Sequence, residues 1–351
     1  MYRVALIGNR AHQNTYGPRF REHPDCEIVA LAEHHAEKAH ALSSLYGLPC
    51  ESDYDAVLER DDVDIVCIAT DFYLKRALVP KAAVCEKHVF VDKSLARTVA
   101  EAREIVEGVG GKNVKVLLAY PNRFVTPFRM MADHLRSETY RRPVSYVHHF
   151  IRQFPDGDLM EYVSYPTEAK VNGGGELMNL GSHTVDLLHY ALGMPKRVYA
   201  HFETAYWGDF YDQFGTEDVA TMLWEYEGLT AHIVTGRNRI KGEDPGPVNI
   251  VDVWCEGRHV QATPRSLTVN GKRVAEEAGT EDGEGCVQHF IECIELDTTP
   301  ISGVGDGLAV AEITTAGYQS AASGRFVDLP LADERHPMLS DDEQIIEGFL
   351  D

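Results

Sequence analysis

Up to about residue 120, short apolar runs alternate with stretches whose apolar positions recur at helical spacing. The runs Val4–Ile7, Ile28–Ala32, Ile65–Ala69, Val89–Val91 and Val114–Leu118 predict strands, and helices fill the intervals. Ser52 is placed to cap a helix around Asp55–Glu59, and Thr98 one through Ala100–Val109. Pro80 lies inside a helical pattern and is expected to end or kink it, because it has no N–H to donate. Such alternation implies a parallel, doubly wound α/β sheet covered on both faces, since strands this apolar tolerate water on neither side.

Beyond Pro127 the rhythm changes. A helix is predicted at Phe128–Leu135, and a glycine-led segment runs over Gly173–Gly193. Long strand-like runs follow at Val198–Tyr206, Val219–Tyr226, Thr230–Thr235 and Val248–Cys255, and their succession predicts a largely antiparallel open sheet. Asn270-Gly271 between two short apolar runs is a strong hairpin signal, since both residues tolerate positive φ. Helices at Val287–Leu296 and Gly307–Ser323 precede the run Phe326–Leu331. The expected organisation is an α/β domain over 1–122, an α+β domain over 123–340 and a solvated acidic tail over 341–351.

Composition narrows the function. A length of 351 residues with 44% apolar content suits two domains with real cores. The chain enters a strand at Val4, which leaves no room for a signal peptide, so a cytoplasmic location is expected. Seven scattered cysteines without a CxxC pair imply neither a disulfide framework nor a zinc site. A net charge of -22 argues against binding nucleic acid or an anionic membrane. Small molecules remain as the expected partners.

Two segments carry candidate chemistry. In the first, Gly173-Gly174-Gly175 leads into a helix on which, at about 100° per residue, Asn179, His183, Asp186 and Tyr190 share one sector. Leucines fill the adjacent sector, so one flank packs while the other is free to meet a ligand. In the second, strand Val4–Ile7 runs into Gly8, and Glu33 closes the next strand at the spacing of an acid that holds the ribose hydroxyls of NAD, with NADP disfavoured. The loop is degenerate, however, with Arg10 and Gln13 at the second and third glycine positions of GxGxxG. Arg10 either adds charge toward a phosphate or fills the groove.

Taken together, Ile68-Ala69-Thr70, the stretch Glu86–Ala96, Asn122-Arg123-Phe124, the glycine-histidine segment and Gly324–Pro330 resemble the glucose-fructose oxidoreductase/inositol dehydrogenase (Gfo/Idh/MocA) family over nearly the whole chain. The resemblance implies a Rossmann domain followed by an open-sheet domain. It also implies nicotinamide-dependent oxidation or reduction of a hydroxyl-bearing carbon in a sugar, cyclitol or related polyol. Carried over, it makes Lys93, His183 and Asn179 the catalytic set, with His183 as general base and Lys93 as alkoxide stabiliser or proton relay. Gly8, Asn9, Arg10, Ala11, Glu33, His34, Ala69, Thr70, Asp71, Asp92 and Lys93 fall where the cofactor would lie. Asn122, Arg123, Tyr162, Lys170 and Asp186 fall where the substrate would, with Tyr165 and Asn172 nearby; Arg123 equally suits a structural ion pair. A homodimer or homotetramer built on the second domain's sheet is expected by analogy.

Departures from the family pattern leave other outcomes open. Asn179 stands where aspartate is usual, and an amide cannot assist as a base. Ser94 replaces the proline after the lysine, so the Lys93–Ser94 peptide is expected to be trans, with Lys93 displaced. Asp92 replaces glutamate, and Lys75 a common histidine. A lyase or glycosidase that recycles NAD, or a ligand-binding regulator on the same fold, would suit such drift. No metal site is expected: His34-His35 and His148-His149 on strands would point to opposite faces, and His189 lies well round the helix from His183.

Overall fold

Burial on both sides governs the N-terminal half. In the computed structural model, which describes residues 1–10, 12–137, 139–155, 169–240, 248–276 and 285–345, six strands form one parallel sheet. They are β1 (Tyr2–Ile7), β2 (Cys26–Ala32), β3 (Cys50–Glu51), β4 (Ile65–Ile68), β5 (His88–Asp92) and β6 (Val116–Ala119), in the order β3-β2-β1-β4-β5-β6. The winding reverses between β1 and β4, which opens a crevice at the carboxyl ends of the strands. Helices α1 (Gln13–Glu22), α2 (Ala36–Tyr46), α3 (Tyr54–Leu58), α4 (Lys75–Val84) and α5 (Val99–Val109) lie in the crossovers.

Local chemistry corrects two expectations. The cap of α3 is Asp53, not Ser52: its carboxylate accepts the Asp55 N–H at 2.9 Å. Pro80 does not end α4, which runs on to Val84; its ring lies against Gly108 of α5, where a Cβ would come within 2.6 Å of Pro80 Cβ. Thr98 caps α5 as expected, accepting the Glu101 N–H at 3.2 Å.

The second sheet has nine strands in the order β14-β13-β12-β11-β7-β10-β9-β8-β15. Its members are β7 (Pro143–Pro155), β8 (Arg197–Glu203), β9 (Val219–Tyr226), β10 (Leu229–Ile240), β11 (Val248–Cys255), β12 (Arg258–Ala262), β13 (Ser266–Val269), β14 (Lys272–Glu276) and β15 (Val327–Asp328). The β7–β10 pair is parallel and the other neighbours are antiparallel. β8 stops before Tyr206 because the Asp218 carboxylate takes the N–H groups of Ala205, Tyr206 and Trp207 at 2.9, 2.8 and 2.6 Å. The hairpin turns at Asn270 (φ 50°) and Gly271 (φ 74°), as the dipeptide requires.

Helices α6 (Thr126–Arg136), α7 (Ser182–Leu192) and α9 (Val304–Ser323) cover this sheet, and one apolar core runs from Leu118 of the first domain through Val185 to Ala316. Helix α8 (Cys286–Glu295) returns to the first domain, where Phe290 packs edge-on to Phe90 at 5.7 Å. No helix among the described residues is long and apolar enough to cross a membrane.

Among the polar links around the domain junction, two lie away from the glycine crevice. Arg123, in the turn Pro121–Phe124, donates to both Asp186 oxygens of α7 at 2.6–3.1 Å, to Asp306 of α9 at 2.8 Å and to the Ile301 carbonyl at 2.7 Å. Arg123 is 1% exposed and Asp186 0%, so both are spent on one another in place of the substrate contact expected of them. The second link is the tail. Residues 341–345 are not free in solvent: Arg97 and Thr98 donate to the carbonyls of Glu343 and Gln344 at 3.1 and 3.0 Å, and the Gln344 amide accepts the His336 N–H at 2.8 Å. The last six positions, 346–351, lie outside the described residues.

Removing one partner of a buried pair strands the other charge. Asp186→Ala is therefore expected to cost about 3 kcal/mol or more. Urea unfolding would show it as a lower midpoint at unchanged slope.

Candidate active site

The crevice begins at Gly8. Its φ of +82° favours glycine, and a Cβ there would lie 2.5 Å from the Ala69 carbonyl. The loop is stitched between two strand ends: Gly8 N–H donates to Ala32 at 2.8 Å, and Arg10 N–H to Ala69 at 3.0 Å. Glu33, just past β2, accepts the N–H groups of Asn9 and His35 at 2.7 and 2.8 Å, so its carboxylate is fixed at the rim. A glycine turn and a buried acid at these places fit a dinucleotide. Thr70 and Asp71, with Ala69, continue the wall. Ala11 lies outside the described residues.

The two missing glycines have distinct replacements. Gln13, 0% exposed, packs its amide against Cys67 Sγ at 3.3 Å, so α1 meets the sheet through a side chain where the motif would have none. The Arg10 guanidinium leaves the loop for the second domain, donating to Asn172 Oδ1 at 2.6 Å, with Asp71 at 3.4 Å and the Phe72 ring 4.2 Å beneath it. Asn172 belongs to the short helical turn Ala169–Asn172, whose Lys170 side chain, like Tyr162 and Tyr165, lies outside the described residues.

His34 and His35 follow the end of β2 and so escape its alternation; their rings lie 3.8 Å apart. With Glu33 they bring one potential ligand atom each within 4.8 Å, a grouping the sequence reading did not expect. Glu33 is already taken by the two backbone donors, and His34 Nδ1 lies 2.6 Å from the Tyr54 hydroxyl.

At the end of β5 the chain turns through Lys93 and Ser94, whose shared peptide is cis although residue 94 is serine. The trans peptide expected there is not what the chain adopts. Lys75, on α4 and fully buried, straddles the turn, its Nζ donating to the carbonyls of Asp92 and Ser94 at 2.5 and 2.7 Å. Lys93 Nζ reaches into the second domain and donates to the Asn179 carbonyl at 2.5 Å and to its Oδ1 at 3.2 Å. Ser94 Oγ donates to the Met178 carbonyl at 3.2 Å.

Those two carbonyls are available because Leu177–Gly181 is one π-helical turn before α7 begins. Single π turns recur at functional sites, since they free backbone groups from the regular ladder. Here the turn also ends the simple stripe predicted for Asn179, His183, Asp186 and Tyr190. Gly174 permits its entry at φ +147°, where a Cβ would sit 1.9 Å from the Tyr318 hydroxyl. Beneath it Glu217 accepts the Leu177 N–H and the Tyr318 hydroxyl, each at 2.8 Å. Glu176 Oε1 pairs ionically with Arg237 Nε at 2.7 Å, and accepts from Tyr211 at 2.6 Å and from Asn179 Nδ2 at 3.2 Å. That last bond orients the amide, leaving Asn179 Oδ1 toward Lys93. Sequence reasoning missed Glu217, Glu176 and His12, and noted Lys75 only as a departure from the family pattern; Glu176 adjoins the glycines, but nothing local marks Glu217 or His12.

Burial drives the electrostatics. It lowers Lys93 to about 8, against the raising effect of Asp92, and Lys75 to about 7. His183 is lowered well below 6.5, first by burial and then by the Lys93, His12 and Arg152 charges. The imidazole is therefore neutral and able to accept a proton at pH 7. Its ring lies 6.1 Å from Phe150 and 6.4 Å from His12, and its carbonyl accepts from Asn122 Nδ2 at 3.4 Å. Asp92 is held low, since His12 at 2.9 Å and the two lysines outweigh its burial.

The chain matches known proteins over this same architecture. Residues 2–120 match the model described as "Oxidoreductase family, NAD-binding Rossmann fold", and residues 128–256 that of the "GFO/IDH/MocA C-terminal domain". A levoglucosan dehydrogenase of Pseudarthrobacter phenanthrenivorans is 24% identical over 210 residues, 57% of this chain and 54% of that protein, so this match spans about half of the relative's length. A D-apiose dehydrogenase of Paraburkholderia graminis is 24% identical over 97% of this chain and 92% of its own. An oxidoreductase from Agrobacterium radiobacter, solved in complex with NAD+, L-tartaric acid and magnesium, superposes with a TM-score of 0.80 at 20% identity, covering 93% and 98% of the two chains. With both family domains matched in order, this chain belongs to the Gfo/Idh/MocA family of oxidoreductases, and its first domain is the family's NAD-binding Rossmann fold.

Proposed function

We propose that the protein is an NAD-dependent dehydrogenase that oxidises a secondary hydroxyl of a sugar, cyclitol or polyol, with His183 as general base and Lys93 as the cation beside the developing alkoxide. The observation that carries this reading is a desolvated lysine from the first domain bonded to the π turn that leads into α7, where a neutral, half-buried histidine of the second domain feels the lysine's charge. NAD, when bound, supplies the hydride acceptor. Gly8 and the loop after it would face its pyrophosphate and Glu33 its ribose hydroxyls, while Arg10 stands ready to leave Asn172 for a phosphate. Relatives named for levoglucosan and D-apiose support a carbohydrate-like substrate.

The residues divide the work by charge. A carbinol carbon releases hydride only as its oxygen gives up a proton, and His183 takes that proton. Lys93 stabilises the oxygen while its charge is intact. Asn179 adds no charge; its carbonyl and amide oxygens hold Lys93 in place, so basicity rests on His183 alone.

Isothermal titration with NAD and NADP, on wild type and Glu33→Ala, tests the cofactor half. NAD should bind in preference to NADP, and the substitution should weaken NAD roughly tenfold or more, as loss of a charge-assisted hydrogen bond implies. Absence of binding to either nucleotide would sink the reading.

A pH profile of NAD reduction at 340 nm, across a panel of sugars and cyclitols, tests the chemical half. Protonation of His183 stops the reaction, and its pKa is depressed, so the acid limb should fall below the usual histidine range. Lys93 loses its charge as pH rises through about 8, so the alkaline limb should centre there. Lys93→Met should remove that limb and lower kcat about 100-fold or more; an unchanged profile would exclude Lys93 from the reaction.

A further inference from the structure

His12 has no part in the reaction described above, yet it faces the reaction centre. It follows the degenerate glycine loop as the cap residue of α1 but makes no side-chain capping bond, so its imidazole is not committed to the helix. Instead Nδ1 lies 2.9 and 3.0 Å from the two oxygens of Asp92, a carboxylate that is itself 1% exposed. An ionised carboxylate only accepts, so Nδ1 carries the hydrogen and Nε2 is left to exchange protons. The ring stands edge-on to His183, with centroids 6.4 Å apart, close enough for a single water to bridge the two imidazoles. Unlike Lys93 and Lys75, which are buried, the His12 side chain is 34% exposed.

His183 is half-buried in the cleft, and once nicotinamide and substrate cover it the imidazole needs a way to lose the proton it gains. We propose that His12, backed by Asp92, is a second proton carrier of the reaction centre, conveying to solvent the proton that His183 takes from the substrate. This inference rests on the dehydrogenase reading above. The substrate O–H bond breaks toward His183 as the carbinol C–H pair of electrons goes to the oxidised nicotinamide. The His183 imidazolium then gives its proton to the bridging water, which protonates His12 at Nε2. His12 releases that proton to bulk water, Asp92 staying ionised throughout, so one proton leaves for each NAD reduced.

The surrounding charges are few. Asp92 on β5 is the charge in contact with His12, Lys93 after β5 and Lys75 on α4 are cations acting on that carboxylate, and Tyr16 on α1 lies 6.1 Å from the ring as a neutral neighbour. A positive charge on His12 lowers the proton affinity of His183. That is the behaviour required of adjacent carriers.

Two measurements test the proposal. In the protein without nucleotide, NMR of labelled histidines should show His183 titrating at higher pH in His12→Gln than in wild type. In steady state with NAD and a substrate, His12→Gln should lower kcat roughly 10- to 100-fold in dilute buffer. NAD affinity and KM should be nearly unchanged, and added imidazole should restore much of the loss. A merely structural role for His12 would give neither the buffer rescue nor the movement of His183. The proposal fails if His12→Gln leaves the His183 titration where it was, or if kcat in dilute buffer stays at the wild-type value. If the wild type reduces no NAD with any sugar or cyclitol, the dehydrogenase reading has failed, and the NMR arm alone decides whether the two histidines exchange charge.

Discussion

The ammonium group of Lys93 is where the two domains become one site. A cation taken out of water must recover its solvation from fixed dipoles, and Lys93 recovers part of it from two oxygens of a single residue in the other domain. That demand accounts for much of what surrounds it. The π turn exists where a carbonyl must leave the helical ladder, Gly174 admits a backbone that a side chain would obstruct, and Glu217 ties down the turn from beneath. On the other side Lys75 binds the carbonyls flanking Lys93, so a second buried cation supports the first.

Two lysines and an arginine in one interior look out of place in a chain of net charge -22. They are tolerated because their partners are local: Asp92 for the lysines, Asp71 and Asn172 for Arg10. The cost of desolvation emerges as lowered proton affinity, which is the property that the chemistry can use. The change from aspartate to asparagine at position 179 fits the same balance. With Glu176 already buried one helical turn earlier and matched to Arg237, the site keeps a hydrogen-bond acceptor for Lys93 without a further carboxylate.

Much of this was legible in the residues themselves. Apolar strands and the Asn270-Gly271 turn follow from period and backbone chemistry, and β9 and β11 fall where their runs lie. Glu33, Lys93, Asn179 and His183 were marked by motif and spacing. What escaped was set by tertiary partners. Nothing around Asp218 signals that its carboxylate will end β8, and nothing around Pro80 says that Gly108 lies opposite its ring. Arg123 and Asp186 read as ligand contacts because they stand in the right segments, while the structure spends each on the other. Adjacent histidines 34 and 35 fell to a rule about strands, but the strand had already ended.

The docked tail bears on how a substrate gets in. Two domains joined by a single linker swing freely about it, whereas here residues 341–345 return to the first domain after the second is complete and bond to Arg97 and Thr98. Arg97 lies directly behind the glycine loop, its carbonyl 2.9 Å from where a Gly173 Cβ would be. The first domain is thus held from both ends of the second, and the tail's carbonyls are gripped by side chains of residues beside the Gly173 turn. This short segment therefore adds to the contacts that α8, Arg10 and Lys93 make across the cleft, and local unfolding of such a segment is far cheaper than global unfolding.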